Sequence, residues 1–368
     1  MVDFPRSNTL EIELTSKCTL SCPKCPRVLQ VNDRDFWDNG GVNADHLINA
    51  IDSNIKHVMF GGSFGDGIYH PDVARVLKSL NDKDITYSFD TNGSYVKEQT
   101  WHDIANAIGP KDRFVFSIDG PPNNFTTYRV NSDWDSIERG IKILTSKFKR
   151  VRWKYIVFKY NSSYEDIKSA YDKAWELDIG QFMLVHTKRT ETGQYVEVSE
   201  FSENLDRLES YVETLIKNQN SNKSKPPKLL INIHPRVRKI SNESIVSDSI
   251  KKTTIKNDPV SFQKSSYVNM EITKKEYYET ENVYPQCMNV QNWAQFIGSE
   301  GIYYPCCYTK TEKRNLIKDA GLNSDDLESM SIYNHTIDEI VKGSGYQKII
   351  QNFDNISICR TKCSKKSK

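Results

Sequence analysis

Apolar and polar positions along residues 10 to 217 predict strands that alternate with helices. Short apolar runs such as LEIEL, HVMFG and ITYSF are typical of strands, and the segments between them repeat apolar residues every three or four positions, as amphipathic helices do. Six strand–helix units follow one another in this way. Since such a series gives parallel strands joined by right-handed crossovers, we expect an α/β fold. Six units are too few for a complete eight-stranded barrel, so the pattern predicts an open or partial (β/α)6 TIM-like barrel.

Beyond residue 217 the pattern weakens, and three segments are predicted. Residues 1–217 hold the barrel. Residues 218–285 form a polar insertion or linker, which is either an ordered, substrate-facing element or partly disordered surface. Residues 286–368 form a small C-terminal domain, in which WAQFIGSEGIYYPCCY predicts a β-hairpin and TIDEIVKGSGYQKIIQNF predicts a helix.

Composition and charge argue against several classes of protein. The chain has 50 Lys and Arg against 48 Asp and Glu, a formal net charge of +2, so no global attraction to nucleic acid is expected. No apolar run approaches the length of a membrane span, and the N-terminus lacks a secretory pattern, so we expect no membrane partner and a cytoplasmic location. Thiols stay reduced in the cytosol, and clustered cysteines there favour metal binding over disulfides.

Eight cysteines fall into two groups. The first group has Cys-x3-Cys-x2-Cys spacing, lies directly after the first predicted strand and has no fourth Cys or His in its loop. A structural zinc site normally closes with four protein ligands, whereas three thiolates suit an iron–sulfur cubane with one iron left open. Spacing alone leaves both kinds of site possible. The first group is Cys18, Cys22 and Cys25, and the second is Cys287, Cys306, Cys307, Cys359 and Cys363.

Together with three later segments, the first cysteine loop resembles the signature of the radical S-adenosylmethionine (SAM) superfamily. GGSFGDGIYHPD (61–72) is similar to that family's Gly-Glu-Pro segment, DTNGSY (90–95) to its Thr-Asn-Gly segment, and FSIDGP (116–121) to its Ser-Leu-Asp-Gly segment. The resemblance covers roughly residues 10 to 190. It implies a [4Fe-4S] cluster on the three cysteines that binds SAM and cleaves it reductively. The resulting 5′-deoxyadenosyl radical would abstract a hydrogen from the substrate.

The resemblance also implies a set of SAM-binding residues. Lys24 precedes the third cysteine, where the family often has an aromatic residue, so we expect only its backbone to reach the adenine. Asp66 takes the place of the family's glutamate, with a carboxylate one methylene shorter. Judged as residues alone, Gly65-Asp66 and Asn92-Gly93 would equally be turn formers, and Arg129 a surface arginine. The full predicted set is Lys24, Gly65, Asp66, Asn92, Ser117, Asp119, Arg129, Asn161 and Arg189.

The C-terminal cysteines resemble the twitch domain, the shortened form of the SPASM extension, which carries one auxiliary [4Fe-4S] cluster. The expected ligands are Cys287, Cys306, Cys359 and Cys363. Cys307 is left over, because successive side chains on a strand point to opposite faces. Four cysteines would also close a tetrahedral zinc site, and the terminal Cys-x3-Cys is looser than the Cys-x2-Cys expected of a twitch domain.

The sequence therefore predicts a radical SAM oxidoreductase or modifying enzyme that oxidises its substrate through the auxiliary cluster. The resemblance implies an external electron donor such as a flavodoxin or ferredoxin. The substrate is either a peptide or protein or a small metabolite, and no general acid or base is assigned. Two alternatives stay open: an RNA-modifying radical SAM enzyme and a non-catalytic metal-cluster binding protein.

Overall fold

Strands and helices alternate along the chain, which confirms the predicted α/β class. The computed structural model describes residues 7–29, 41–62, 64–186, 198–217, 225–233 and 294–363. The strands are β1 (Thr9–Ile12), β2 (His57–Phe60), β3 (Thr86–Thr91), β4 (Arg113–Ser117), β5 (Val151–Val157), β6 (Gln181–His186), β7 (Lys228–Ile233), β8 (Gln295–Ile297) and β9 (Tyr303–Tyr304). The helices are α1 (Pro26–Leu29), α2 (Ala44–Ala50), α3 (Val73–Asp82), α4 (Glu98–Ala107), α5 (Trp134–Lys147), α6 (Tyr164–Glu176), α7 (Val198–Lys217), α8 (Cys307–Thr311), α9 (Lys313–Ala320), α10 (Ser324–Glu328), α11 (Ile337–Lys342), α12 (Ser344–Asn352) and α13 (Ser357–Cys363).

The chain divides into two compact units. The first unit comprises Met1–Phe116, Val130–Val151 and Tyr277–Lys368, and the second comprises Ser117–Arg129 and Arg152–Glu276. In the first unit the strand order is β4-β3-β2-β1-β8-β9, and its strands are parallel except for β9, which runs antiparallel to β8. In the second unit β5, β6 and β7 pair in parallel in chain order. Both arrangements confirm the predicted parallel strands, while closure into a partial barrel stays a prediction.

The first unit owes its core to the two-residue period of its strands. In β1, Leu10 and Ile12 are fully buried on one face, and Glu11 points to the opposite face. Helix α4 packs against both α3 and α5, and Gly140 in α5 leaves the room that the Trp101 ring of α4 occupies. Parallel strands are covered on both faces, so a charged residue on the second face of β1 also lies inside the protein and requires partners.

The second unit has its own aromatic core. Trp153 and Tyr155 of β5 and Phe182 of β6 are fully buried, with the Phe182 ring 5.8 Å from Trp153 and 5.9 Å from Tyr155. Helix α6 begins at a Ser163 cap, whose hydroxyl oxygen accepts the Asp166 N–H at 3.1 Å. Strand β5 also contacts the loop that follows β4, since the Ile156 N–H donates to Asp119 Oδ1 at 2.9 Å.

The C-terminal segment contains the predicted hairpin, formed by β8 and β9, and β8 pairs in parallel with β1. The prediction of one helix across 336–353 is wrong, because two helices, α11 and α12, meet at Gly343. That glycine is extended (φ −71°, ψ 160°) and its N–H bonds the Ile340 carbonyl at 2.9 Å, which ends the first helix.

The twitch domain and the boundaries at 217/218 and 285/286 stay predictions, and most of 218–285 lies outside the described residues. Among the described helices, none is both long and apolar enough to cross a bilayer.

Candidate functional site

The loop that follows β1 carries the first three cysteines. None of the three forms a disulfide. The Cys25 N–H donates to the Cys22 carbonyl at 3.0 Å, which closes a tight turn around half-buried Lys24. Pro26 then opens helix α1, a position where its missing N–H leaves no helical hydrogen bond unmade. The predicted strand-end loop is therefore present and locally ordered.

Two N–H groups point at the sulfur of Cys18. The Leu20 backbone N–H lies 3.5 Å from Sγ, and the Asn92 side-chain Nδ2 lies 3.6 Å from it. Burial, and then the nearby Asp66 carboxylate, raise the pKa of the Cys18 thiol to about 12, while the Leu20 N–H lowers it. With no metal bound, the Cys18 thiol would stay protonated at neutral pH. A bound metal cation favours the deprotonated thiolate instead.

The donor set of this loop fits an iron–sulfur cubane. Among the residues that the structure describes, no three His, Cys, Asp or Glu side chains converge on a single-ion site. A cubane makes a different demand, because each of its irons takes one thiolate and the ligand sulfurs stand at separate corners. Three thiols in one loop that form no disulfide, with N–H donors directed at one sulfur, meet that demand.

Asp66 ties the loop after β2 to the loop after β3. Its Oδ2 accepts hydrogen bonds from the Asn92 backbone N–H at 2.7 Å, the Asn92 Nδ2 at 2.5 Å and the Thr91 hydroxyl at 3.1 Å. Its Oδ1 accepts the Ile68 N–H at 3.1 Å, and its own N–H donates to the Lys17 carbonyl at 2.9 Å. Burial raises the pKa of this carboxyl to about 6, and the hydrogen bonds from Asn92 and its neighbours oppose the rise. The structure thus brings Asp66, Asn92 and Cys18 together.

Gly65 lies where no side chain fits. A Cβ on this residue would collide with the Thr15 carbonyl oxygen and lie 2.7 Å from the Ser16 Cα. The backbone of residues 64–66 therefore runs directly against the backbone that leads into the cysteine loop. This close approach is a physical reason for glycine in the predicted SAM-binding segment.

Two residues that the sequence analysis did not single out hold these loops together. The Tyr69 hydroxyl lies 2.8 Å from Thr19 Oγ1 and 3.0 Å from Asn92 Oδ1, so it joins all three loops. The Glu13 carboxylate accepts the N–H groups of Phe64, at 2.6 Å, and Gly65, at 3.2 Å. A signal for Glu13 exists in the sequence, since LEIEL places two carboxylates on one face of a strand that parallel pairing buries.

The described part of the second unit contains four of the predicted SAM-binding residues, of which Ser117 is buried at the end of β4. Asp119 is fully buried, receives the Arg129 Nε–H at 2.7 Å on Oδ2 and accepts the Ile156 N–H at 2.9 Å on Oδ1. Asn161 is also fully buried, and its amide bonds the Asp119 carbonyl at 2.9 Å and the Phe158 N–H at 2.6 Å. The backbone occupies both amide atoms of Asn161, so its contact with SAM stays a prediction, as do those of the other three residues.

The C-terminal cysteines are described in part. Cys306 is buried immediately before α8, and Cys359 is buried in α13, a helix that packs against α8. The Cys307 thiol is hydrogen-bonded to the Glu11 side chain. Burial raises the pKa of the Cys307 thiol, and it raises the pKa of the Glu11 carboxyl to about 7. Cys287 and Arg189 lie outside the described residues, as does the side chain of Cys363.

No protein-family model matches the chain, and a search of the curated proteins finds no match. Among solved structures, the chain is similar to the crystal structure of Streptococcus suis SuiB, with 16% identity and a TM-score of 0.55 over 83% of this chain and 61% of that one. The SuiB structure with the precursor peptide SuiA gives 17% identity and a TM-score of 0.51 over 83% and 61%. The crystal structure of SuiB bound to S-adenosylmethionine has 14% identity and a TM-score of 0.50, over 83% of this chain and 59% of that one. The chain thus spans about three fifths of the length of SuiB, and the likeness shows a shared fold.

Proposed function

We propose that this chain is a radical SAM enzyme. The observation that carries the proposal is the loop after β1, which contains three cysteines outside any disulfide, and in which Cys18 contacts the Asn92 amide that also bonds Asp66. The similarity to a protein crystallised with SAM supports the same function. When bound, a [4Fe-4S] cluster supplies the electron that splits SAM into methionine and a 5′-deoxyadenosyl radical, which takes a hydrogen atom from the substrate.

The residues around the cysteine loop have distinct roles in this proposal. Cys18, Cys22 and Cys25 hold the cluster. Asn92 donates an N–H to the Cys18 sulfur, a contact of the kind that tunes cluster potential. Asp66 fixes the position of Asn92 and keeps the 64–66 backbone beside the loop. The N–H groups of this segment are bonded within the protein, so in this proposal its carbonyl oxygens would contact the amino group of SAM.

A second cluster in the C-terminal segment completes the proposed oxidoreductase. Cys306 and Cys359 are buried on elements that pack together, which supports Cys287, Cys306, Cys359 and Cys363 as ligands of an auxiliary [4Fe-4S] cluster in a twitch domain. With four thiolates, that cluster would receive the electron left after hydrogen abstraction. An external flavodoxin or ferredoxin would supply the first electron.

We favour a peptide or protein over a small metabolite as the substrate. The SuiB structure with the precursor peptide SuiA supports this choice, because a related fold accommodates a peptide there. The balanced net charge of +2 gives no comparable support to an RNA substrate.

The test is anaerobic reconstitution, followed by iron and sulfide analysis and by assay of 5′-deoxyadenosine after addition of SAM and dithionite. Two cubanes require about eight irons per chain. Replacing Cys18, Cys22 and Cys25 by Ala should remove about half of the iron and all SAM cleavage. Replacing Cys306 and Cys359 by Ala should also remove about half of the iron but leave uncoupled cleavage.

Cys307→Ala is the matched control, because it removes a half-buried neighbouring thiol that is not a proposed ligand. Its iron content should equal that of the wild type. Bound zinc and no SAM cleavage in the wild-type protein would contradict the proposal and indicate a non-catalytic metal-binding protein. About four irons with cleavage would retain the radical chemistry but remove the auxiliary cluster.

A further inference from the structure

The buried pair of Glu13 and Lys310 has no role in the proposed function so far. Both side chains are 1% exposed, and Lys310 Nζ lies 4.0 Å from Glu13 Oε2. Charged groups are seldom buried this completely, because taking them out of water costs free energy that only close partners recover. The partners of each charge therefore indicate what the pair does.

Glu13 faces the backbone of the 64–66 segment. One oxygen, Oε1, accepts the N–H groups of both Phe64 and Gly65, at 2.6 and 3.2 Å. These peptide groups come directly before Asp66, which contacts Asn92 beside the cysteine loop. A carboxylate with two backbone donors is a strong, charge-assisted anchor for a loop.

Lys310 joins that anchor to the C-terminal segment. It belongs to α8, which begins one residue after Cys306. Its ammonium group forms an ion pair with Glu300, and Glu300 also accepts the Tyr304 hydroxyl hydrogen bond at 2.7 Å. The same ammonium nitrogen lies 5.8 Å from the centre of the Phe64 ring. Burial raises the pKa of the Glu13 carboxyl to about 7, and Lys310 opposes that rise. Lys310 thus favours the ionised form of Glu13, which is the stronger acceptor.

We propose that Glu13 and Lys310 are positioning residues that fix the 64–66 segment to α8, so that SAM affinity depends on the segment carrying Cys306. The proposal rests on the proposed function, since only that function makes the 64–66 segment part of a SAM site. The contacts also predict a property that needs no SAM, namely slow exchange of the Phe64 and Gly65 amide hydrogens.

The experiment compares Glu13→Gln, Lys310→Met, the double variant and the control Lys313→Met. Lys313 also pairs with Glu300, at 3.8 Å, but its side chain is 21% exposed. Two quantities are measured on the reconstituted protein: hydrogen–deuterium exchange at residues 64–65 and the dissociation constant for SAM. Each single variant should speed exchange and weaken SAM binding about tenfold, the typical effect of losing a hydrogen bond to a charged group. The double variant should be no worse than Glu13→Gln, and Lys313→Met should match the wild type.

Unchanged exchange in both single variants would overturn the proposal. Faster exchange with unchanged SAM affinity would reduce the pair to a purely structural contact and overturn its link to SAM. Glu13→Gln keeps the side-chain size and an acceptor oxygen, so it carries the test if Lys310→Met does not fold. A wild-type protein that binds no SAM would refute the proposed function, and with it the link to SAM, while the exchange data would still report on the anchor.

Discussion

Asn92 is the residue whose side chain connects the most parts of the candidate site. Its amide nitrogen contacts both Cys18 Sγ and Asp66 Oδ2. Asn92→Ala should lower the free energy of unfolding by about 1–3 kcal/mol, because it leaves a buried carboxylate short of a donor. It should also change the EPR spectrum of the reduced, reconstituted protein, since hydrogen bonds to cluster sulfurs tune the cluster.

Asn81→Ala provides the control for Asn92→Ala. The Asn81 amide also bonds a partly buried carboxylate, that of Asp112, at 3.0 Å, but it lies on α3 and has no cysteine contact in the described structure. Denaturant unfolding should show a comparable loss of stability, and the EPR spectrum should not change. An Asn92→Ala spectrum identical to that of the wild type would mean that this amide does not reach a cluster ligand.

Among the connecting elements, the 64–66 segment is the one most limited by its neighbours. Gly65→Ala should cost the upper part of the roughly 1–3 kcal/mol typical of overpacking, because its Cβ meets backbone atoms that cannot rotate away. We also expect weaker SAM binding, since the segment must move off the cysteine loop. Thermal unfolding and SAM titration measure the two effects.

Gly321→Ala separates the effect of crowding from that of backbone conformation. Gly321 ends α9 in the left-handed region at φ 63°, and nothing lies within 4 Å of an added Cβ. Its replacement should cost about 1–2 kcal/mol for the left-handed conformation and leave SAM binding intact. Normal SAM binding by Gly65→Ala would show that the segment is not part of the SAM site.

Periodicity was sufficient to predict the strands and most helices, because their apolar residues recur with the period of the element that they form. It failed at Gly343, where the apolar spacing continues across a helix end that the backbone of one residue determines. The strand-end position of the Cys18 loop was predictable because sites in parallel sheets form at the carboxyl ends of the strands, whereas Asp66 and Asn92 were identified by the family resemblance. The LEIEL pattern could have indicated that Glu13 is buried, but it does not identify the partners of Glu13 or of Tyr69, which lie 51 and 23 residues away in the sequence.

For the molecule as a whole, three carboxyl groups contribute a pH dependence of stability with a defined sign. Burial raises the pKa of Glu11 and Glu13 to about 7 and that of Asp66 to about 6, above the ordinary values of 4.5 and 3.8. At these three groups the folded chain binds more protons than the unfolded chain between pH of about 4 and 7, so their contribution to stability should fall as the pH rises through that window. His57 contributes with the opposite sign, because burial lowers its pKa from 6.5 to about 4.

Glu11→Gln tests this sign, since glutamine resembles the protonated carboxyl. The variant should be more stable than the wild type at pH 8, and the difference should shrink as the pH falls toward 4.5. Urea unfolding of the cluster-free chain at pH 5, 6.5 and 8 measures the difference in the free energy of unfolding between Glu11→Gln and the wild type. Glu213→Gln, on the exposed face of α7, is the control. A variant that is less stable than the wild type at pH 8 would mean that the Glu11 carboxylate has a stabilising cationic partner.

The pairing of β8 with β1 determines when this protein can finish folding during its synthesis. Leu10 pairs with Gln295, so that edge of β1 remains open until Gln295, about 285 residues further along the chain, has been synthesised. Contacts between such distant residues form late, because a long loop must close first. The loop of Cys18, Cys22 and Cys25 leaves from the end of this same strand. Its thiols are therefore synthesised long before the strand that completes this edge of the sheet, and exposed thiols are susceptible to oxidation in that interval.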